Sequence, residues 1–338
     1  MFEPTEALRV FAALQLAAVT LEHGMLAAGL LPPLAAAGYL AESGYALLRI
    51  RKLQLAVVAA SAKWLATEAG LALDLGRRFQ HLAAAAGQQL VGSVAALTPI
   101  FGSLRYQPAM AWTTSAPPPS NLTDLMRRLQ TSAARKGCVR IEQLSSAGHR
   151  EFVIYLPGTQ NWSPIPGRTP FDLASDLRLY SGQSAPALTA VQKTLRTAGV
   201  GSKAGDTVTF VAHSQGAMIA AKLANQPEPY AVRAIITAGG PSGAMPVPNA
   251  LTRVAIEHRS DIVPKLALTA QPETPVQVTA VIKTPDDTEA HDMTAYLKSA
   301  EGIDAGNGYA KVERLTQKVL ASLASGGSVK VSQWQLVP

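Results

Sequence analysis

From about Cys138 onward, short β-branched runs alternate with helical stretches and glycine turns, the pattern of an α/β layer fold. Residues 139–144 and 151–156 read as paired strands around Ser145-Ser-Ala-Gly-His149, and Pro157-Gly158-Thr159 ends the second. A helix is predicted over 187–198, with Ser184 and Pro186 as start signals. Residues 207–212 read as a buried strand that runs at once into a helix over 215–224. Further strands fall at 231–238, 251–257 and 276–282, followed by a closing helix at 309–323 and an alternating strand at 328–336.

The first third of the chain patterns differently. Residues 1–110 are rich in alanine and leucine and poor in β-branched runs, which predicts an all-helical bundle. One helix candidate covers 5–22, and Pro32-Pro33 stops what precedes it because neither proline donates an i→i−4 bond. The longest candidate covers 47–82. At about 100° per residue, Arg49, Lys52, Lys63, Asp74, Arg77, Arg78 and His81 share one narrow arc, with Arg51 and Glu68 outside it. Most of that helix's circumference is therefore expected to be covered, by the bundle, a partner or a membrane surface. Residues 112–121, with their three consecutive prolines, read as a stiffened linker. The resulting division is a helical bundle over 1–110, a linker over 111–121 and an α/β domain over 122–338.

Composition changes this picture in three ways. The 338 residues are 48% hydrophobic and only 16% charged, against about 25% charged in an average globular protein. So thin a charged exterior implies surface hidden between domains, in self-association or against lipid. The net charge of +7 is scattered, with Arg49-Ile50-Arg51-Lys52 as its densest cluster and no interleaved aromatics. That reads as a solvated basic exterior, not a nucleic-acid interface. The single cysteine, Cys138, excludes an intramolecular disulfide and a cysteine-based zinc cluster. No glycine-rich phosphate loop follows a strand and no His/Glu spacing suits a metal, so no cofactor is expected.

No membrane span is expected either. The uncharged stretch 82–104 is interrupted by Gln88-Gln89 and Pro99, and 24–41 is split by Pro32-Pro33. The acidic start, Met1-Phe2-Glu3-Pro4-Thr5-Glu6, lacks the basic region of a secretory signal. Cytoplasm and cell envelope both remain open as compartments.

The sharpest chemical signal is Thr207-Val-Thr-Phe-Val-Ala212-His213-Ser214-Gln215-Gly216. A β-branched strand runs into a serine, and a small-residue helix starts immediately, as in a nucleophile elbow. Such a turn is so tight that side chains two residues either side of the serine collide unless small; Ala212 and Gly216 hold those places. Both are usually glycine, so Ala212 departs by one methyl. The helix N-terminus behind Ser214 offers free N–H groups to a developing oxyanion.

With this motif the chain from Cys138 onward resembles the α/β-hydrolase superfamily, and within it the lipase class 3-like serine esterases. The carrying residues are Ala212–Gly216, Pro157-Gly158-Thr159, His258-Arg-Ser-Asp261-Ile-Val-Pro264 and His291-Asp-Met-Thr-Ala-Tyr296. The resemblance implies a mostly parallel sheet with helices on both faces, and a catalytic order of serine, acid, histidine. His291 is then the base, since it leaves room for an acid at a strand end between it and Ser214. His258 falls on a strand, and His213 is expected to point away from its neighbour Ser214. Asp261, directly after the 251–257 strand, is the preferred acid, with Asp286, Asp287 and Glu228 as rivals. The likeness puts one oxyanion donor at the Thr159 N–H and the other at Gln215. The proline-rich loop 161–171, with Trp162, Ile165 and Phe171, is expected either to wall an acyl pocket as a lid or to pack its aromatics on the sheet.

The implied activity is hydrolysis of a small carboxylic ester or lipid, acylglycerol-like, through an acyl-enzyme. Alternatives are an acyltransferase or thioesterase with the same triad, a non-catalytic hydrolase-like binding protein, and a membrane-surface scaffold driven by the N-terminal helices.

Overall fold

Eight strands form one continuous sheet in the computed structural model. It describes residues 104–338 except 147, 163–166, 181, 242, 244, 262, 268–270, 272 and 324–327. The expected helices at 5–22 and 47–82 lie outside the described residues, as does the rest of the bundle through residue 103.

In chain order the elements are β1 (Gln107–Ala116), α1 (Leu122–Ala133), β2 (Cys138–Ser146), β3 (His149–Leu156), α2 (Leu173–Tyr180), α3 (Pro186–Thr197), β4 (Thr207–His213), α4 (Gln215–Ala224), β5 (Ala231–Ala238) and β6 (Thr252–His258). A 3-10 turn at Pro264–Ala267, β7 (Gln277–Ile282), α5 (Met293–Asp304), α6 (Ala310–Leu323) and β8 (Val329–Val337) complete them. The strand order is β1-β8-β2-β3-β4-β5-β6-β7. From β3 to β7 every neighbouring pair is parallel, and the pairs among β1, β8, β2 and β3 are antiparallel. The fold is α/β, with a mostly parallel sheet.

Strand alternation sends side chains to two separate cores. Phe152, Ile154 and Leu156 of β3 join Val208, Phe210 and Ala212 of β4 under α3 and α4. Val153, Tyr155 and Val211 face the other way, with Leu125 and Leu129 of α1, Tyr296 of α5 and Leu315 and Val319 of α6. Burial of both faces is why the central strands read as unbroken apolar runs instead of alternating ones. Helix starts follow the caps available. The Asn121 side chain accepts from the Asp124 N–H at 2.7 Å, Pro186 opens α3, and Asp292 accepts from the Thr294 N–H at 2.6 Å.

The linker reading of residues 111–121 is corrected. Through Ala116 this segment belongs to β1, which pairs antiparallel with β8 and carries a register break between Met110 and Trp112. The last four positions assigned to the bundle, 107–110, belong to the same strand. An edge strand tolerates Pro108 because one row of its backbone groups needs no ladder partner. With most of its side chains exposed, it also shows little buried alternation in sequence. The triple proline 117–119 follows the strand instead of interrupting it, and α1, which no periodicity had flagged, begins just beyond.

Five parallel strands bring their carboxyl ends to one rim, the place where this architecture positions chemistry. Loops leaving β3, β4, β6 and β7 at that rim carry Thr159, Ser214, Asp261 and His291.

Candidate active site

Ser214 occupies the single residue between β4 and α4, at φ 49° and ψ −116°. It is one of only two non-glycine residues with positive φ among the described residues, the other being Asp287. Such strain costs about 1–3 kcal/mol and persists only where the surroundings impose it. Here the Ser214 N–H donates to the Ala238 carbonyl at 3.0 Å, and its own carbonyl accepts from the Ala217 N–H at 2.9 Å. Ala212 is fully buried in the core before the turn. Gly216 follows it without alternative: a Cβ there would run into the Leu156 carbonyl oxygen and come within 2.8 Å of that of Pro157. The helix can lie this close to the end of β3 only without a side chain at 216.

The structure brings Ser214, His291 and Asp261 together. Ser214 Oγ lies 2.9 Å from His291 Nε2, and His291 Nδ1 lies 2.7 Å from Asp261 Oδ2. With Nδ1–H donating to the carboxylate, Nε2 is left as an acceptor for the serine proton. Asp261 is buried, with both oxygens engaged. Oδ1 accepts from the Val263 N–H at 2.9 Å, and Oδ2 accepts from the Tyr296 hydroxyl at 2.6 Å as well as from His291. The rival carboxylates are elsewhere. Asp286 is exposed and pairs with Lys283, Asp287 is exposed, and Glu228 accepts from the Gln192 amide.

Three side chains without an assigned role hold this arrangement. Tyr296 was part of the motif quoted above, but only the structure reveals that its hydroxyl meets Asp261. Burial and the adjacent carboxylate push its phenol far above the usual range, so it remains a donor. Its ring stacks on buried His258 at 3.9 Å between centroids. His258 holds the Ala290 carbonyl at 2.6 Å through Nδ1 and the Ser299 hydroxyl at 2.8 Å through Nε2, which pins the segment leading into His291. Burial lowers its pKa, so the ring is neutral, donating at Nδ1 and accepting at Nε2.

His213 does not point away from the site. Strand alternation turns it to the face of Val211, and the loop from β7 to α5 arrives over that face. Its Nε2 donates to the His291 carbonyl at 3.0 Å, and the two rings lie 4.8 Å apart. Burial, then the neighbouring His291, lowers its pKa to about 3. It is therefore a neutral positioning group.

Opposite the serine, the Pro157-Gly158-Thr159 loop lies directly against the turn. A Cβ on Gly158 would stand 2.6 Å from His213 Nδ1 and 3.0 Å from Ser214 Cβ. Among the described residues the Thr159 N–H makes no hydrogen bond, and the Gln215 N–H opens α4, where first-turn donors lack intrahelical acceptors. The Thr159 hydroxyl donates to Asp176 Oδ2 at 2.7 Å, and the Gln215 side chain donates to the Asp172 carbonyl at 2.8 Å. Burial pushes Asp176 up to about 7 against the pull of its hydrogen bonds from Thr159 and Gln215. Sequence had not signalled Asp176, because it reaches Thr159 only through the folding of the intervening loop.

That loop is closed at its base, with the N–H groups of Gln160 and Asn161 both donating to the Phe171 carbonyl at 2.8 and 3.1 Å. Phe171 is fully buried in the core, so it anchors the loop and does not belong to a lid. Trp162 is half-buried, and Ile165 lies outside the described residues.

Among the described residues no group of three or more His, Cys, Asp or Glu side chains could hold a metal ion, and no helix is long and apolar enough to cross a membrane. The arrangement supplies a hydroxyl, an imidazole placed to take its proton, a buried carboxylate that orients the ring, and unoccupied N–H donors beside them. No protein-family model, no curated protein and no solved structure matches the chain.

Proposed function

We propose that this protein is a serine hydrolase of carboxylic esters, with an α/β-hydrolase type of domain over its C-terminal part. The observation that carries the reading is the pair of distances 2.9 and 2.7 Å that joins Ser214, His291 and Asp261 through one imidazole, with the serine on a strained strand-to-helix turn. In the proposed reaction Ser214 Oγ attacks the ester carbonyl while His291 Nε2 takes its proton. The N–H groups of Thr159 and Gln215 receive the negative oxygen, each donor being worth about 3 kcal/mol in the transition state. His291 then protonates the departing alcohol, leaving an acyl-serine. Water, deprotonated by the same ring, releases the acid and regenerates the hydroxyl. Asp261 keeps its charge throughout and stabilises the imidazolium.

The test is covalent labelling by a fluorophosphonate probe together with turnover of p-nitrophenyl esters. Wild-type protein should give both and Ser214→Ala neither. A wild-type chain that is folded yet neither labelled nor active excludes the proposal. Acylglycerol-like lipids are the substrate class suggested by the likeness to class 3 lipases, and a chain-length series of esters tests it. A sharp preference for acetyl rules that class out.

A further inference from the structure

Four exposed cations gather at one corner of the rim that carries Thr159. β2 runs antiparallel to β3, with Arg140 opposite Tyr155, so the start of β2 lies at that rim. β8 reaches it at its end, where Gln335 pairs with Cys138, and β1 at its start, where Gln107 pairs with Val337. The segments that open β1 and β2 therefore emerge beside the Thr159 loop. Arg105, Arg135 and Lys136 lie on these segments, Arg168 lies on the loop, and all four are exposed. Hydrogen bonds tie the segments together. Gln160 Oε1 accepts from the Gly137 N–H at 2.6 Å and from the Thr169 hydroxyl at 3.1 Å, while its amide donates to the Ala133 carbonyl at 3.1 Å. The Tyr106 hydroxyl donates to the Gly167 carbonyl at 2.8 Å.

The charge of this corner is not neutralised locally. None of the four cations forms an ion pair among the described residues. Residues 104–108, 133–138, 157–169 and 335–338 contain no Asp or Glu. Four exposed carboxylates of the same rim, Asp286, Asp287, Glu289 and Asp292, lie between β7 and α5. β7 is the fifth strand from β2, about 24 Å away at the usual strand spacing and well beyond a Debye length of about 8 Å. The two ends of the rim thus present separate fields of opposite sign.

The same corner is apolar. Among the described residues, large hydrophobic side chains are exposed at Leu104, Met110, Val281 and Val337, and three of these four are on or beside β1 and β8. Leu104 directly precedes Arg105, and half-buried Trp162 stands on the Thr159 loop. Cations beside exposed apolar and indole side chains match a lipid interface, where charges meet headgroups and apolar groups enter the acyl boundary. A nucleic acid would engage the charges and leave Leu104 and Val337 in water.

We propose that this corner of the sheet docks on an anionic lipid surface. Arg105, Arg135, Lys136 and Arg168 meet the headgroups, and Leu104, Trp162 and Val337 meet the acyl boundary. Ser214, at the end of β4, is two strands from β2, about 10 Å, so the docked surface borders the cleft. Docking does not depend on ester hydrolysis. That the surface also supplies the ester does rest on the proposed function.

The experiment is sedimentation of the full chain carrying Ser214→Ala with vesicles of phosphatidylcholine, alone or mixed with phosphatidylglycerol, at low and high salt. Using that variant separates failure of this face from failure of the hydrolase reading. The chain should bind the mixed vesicles at low salt, release them at high salt and ignore phosphatidylcholine alone. Replacing all four cations, as Arg105→Gln, Arg135→Gln, Lys136→Gln and Arg168→Gln, should lower the partition coefficient at least about a hundredfold, at about fivefold per cation. Absence of binding at low salt, equal binding to neutral vesicles, or undiminished binding by the quadruple variant overturns the proposal. Preference for a duplex oligonucleotide over the mixed vesicles overturns it in favour of nucleic acid. If the quadruple variant does not fold, Lys136→Gln and Arg168→Gln decide the matter singly, each with an expected loss of about fivefold.

Discussion

The hydroxyl of Tyr296 and the ring of His291 donate to the same oxygen of Asp261, at 2.6 and 2.7 Å. A single lone-pair-rich atom thus sets the orientation of the base and ties it to α5. Tyr296→Phe removes one of these donors while keeping the ring that stacks on His258. Hydrogen bonds to charged groups contribute about 1.5–3 kcal/mol. We expect kcat/KM for a p-nitrophenyl ester to fall by about tenfold or more, with KM nearly unchanged, as steady-state kinetics will determine.

At Ser214 the proposed chemistry and the stability of the fold pull in opposite directions. Its φ of 49° suits glycine better than serine. Ser214→Gly should therefore raise the unfolding free energy by about 1 kcal/mol in a urea titration, while abolishing labelling. Ser214→Ala, which retains the strain, should abolish labelling without that gain. In a hydrolase with this kind of triad the turnover loss is on the order of a millionfold.

Gly216→Ala should damage folding far more than a surface glycine replacement. The added methyl meets two carbonyl oxygens at the end of β3, and neither can withdraw without breaking the β3–β4 junction. Loss of at least 3 kcal/mol, or insoluble expression, is the expected result. A thermal midpoint within a degree of wild type would show the helix to be less tightly seated than described.

Two titratable groups beside the site, both only partly exposed, predict opposite responses to pH. His213 sits at about 3 in the folded chain, below its reference near 6.5, so the unfolded state binds the extra proton between those values. Its contribution is complete above about pH 6.5 and is lost as pH falls toward 3. Asp176 is raised to about 7, so the folded state holds the proton between its reference value and 7. Its contribution is complete below pH 3.8 and is lost as pH rises through 7. Asp176→Asn should accordingly melt several degrees above wild type at pH 8 and level with it near pH 4, read by calorimetry across that range.

The sequence foretold some of these elements to the residue and others not at all. β5 and α4 match their expected bounds, and in β5 the covered part, Ala234–Ala238, is an almost wholly apolar run that ends where the strand does. Ser214, Asp261 and His291 were legible for a related reason: each follows a strand end, and parallel strands deliver their ends to a common rim. β1 was not legible, since an exposed edge strand with proline at its second position and three prolines after its end shares its composition with a linker. The basic corner could not be singled out either. Arg105, Arg135, Lys136 and Arg168 are scattered along the chain, and only the strand order brings their segments to one rim. His213 was misjudged because adjacency to Ser214 was considered without asking which loop would arrive on the other side.

The position of β8 between β1 and β2 has a consequence for biosynthesis. Of the described strands it emerges last from the ribosome, yet it must slot between two made well over a hundred residues earlier. Until then β1 has no strand to pair with and β2 shows a raw, hydrogen-bonding border, and both invite pairing with other chains. Closure of the antiparallel end is thus a late, long-range event, and holdase chaperones should find their target on the unfinished chain at β1 and β2.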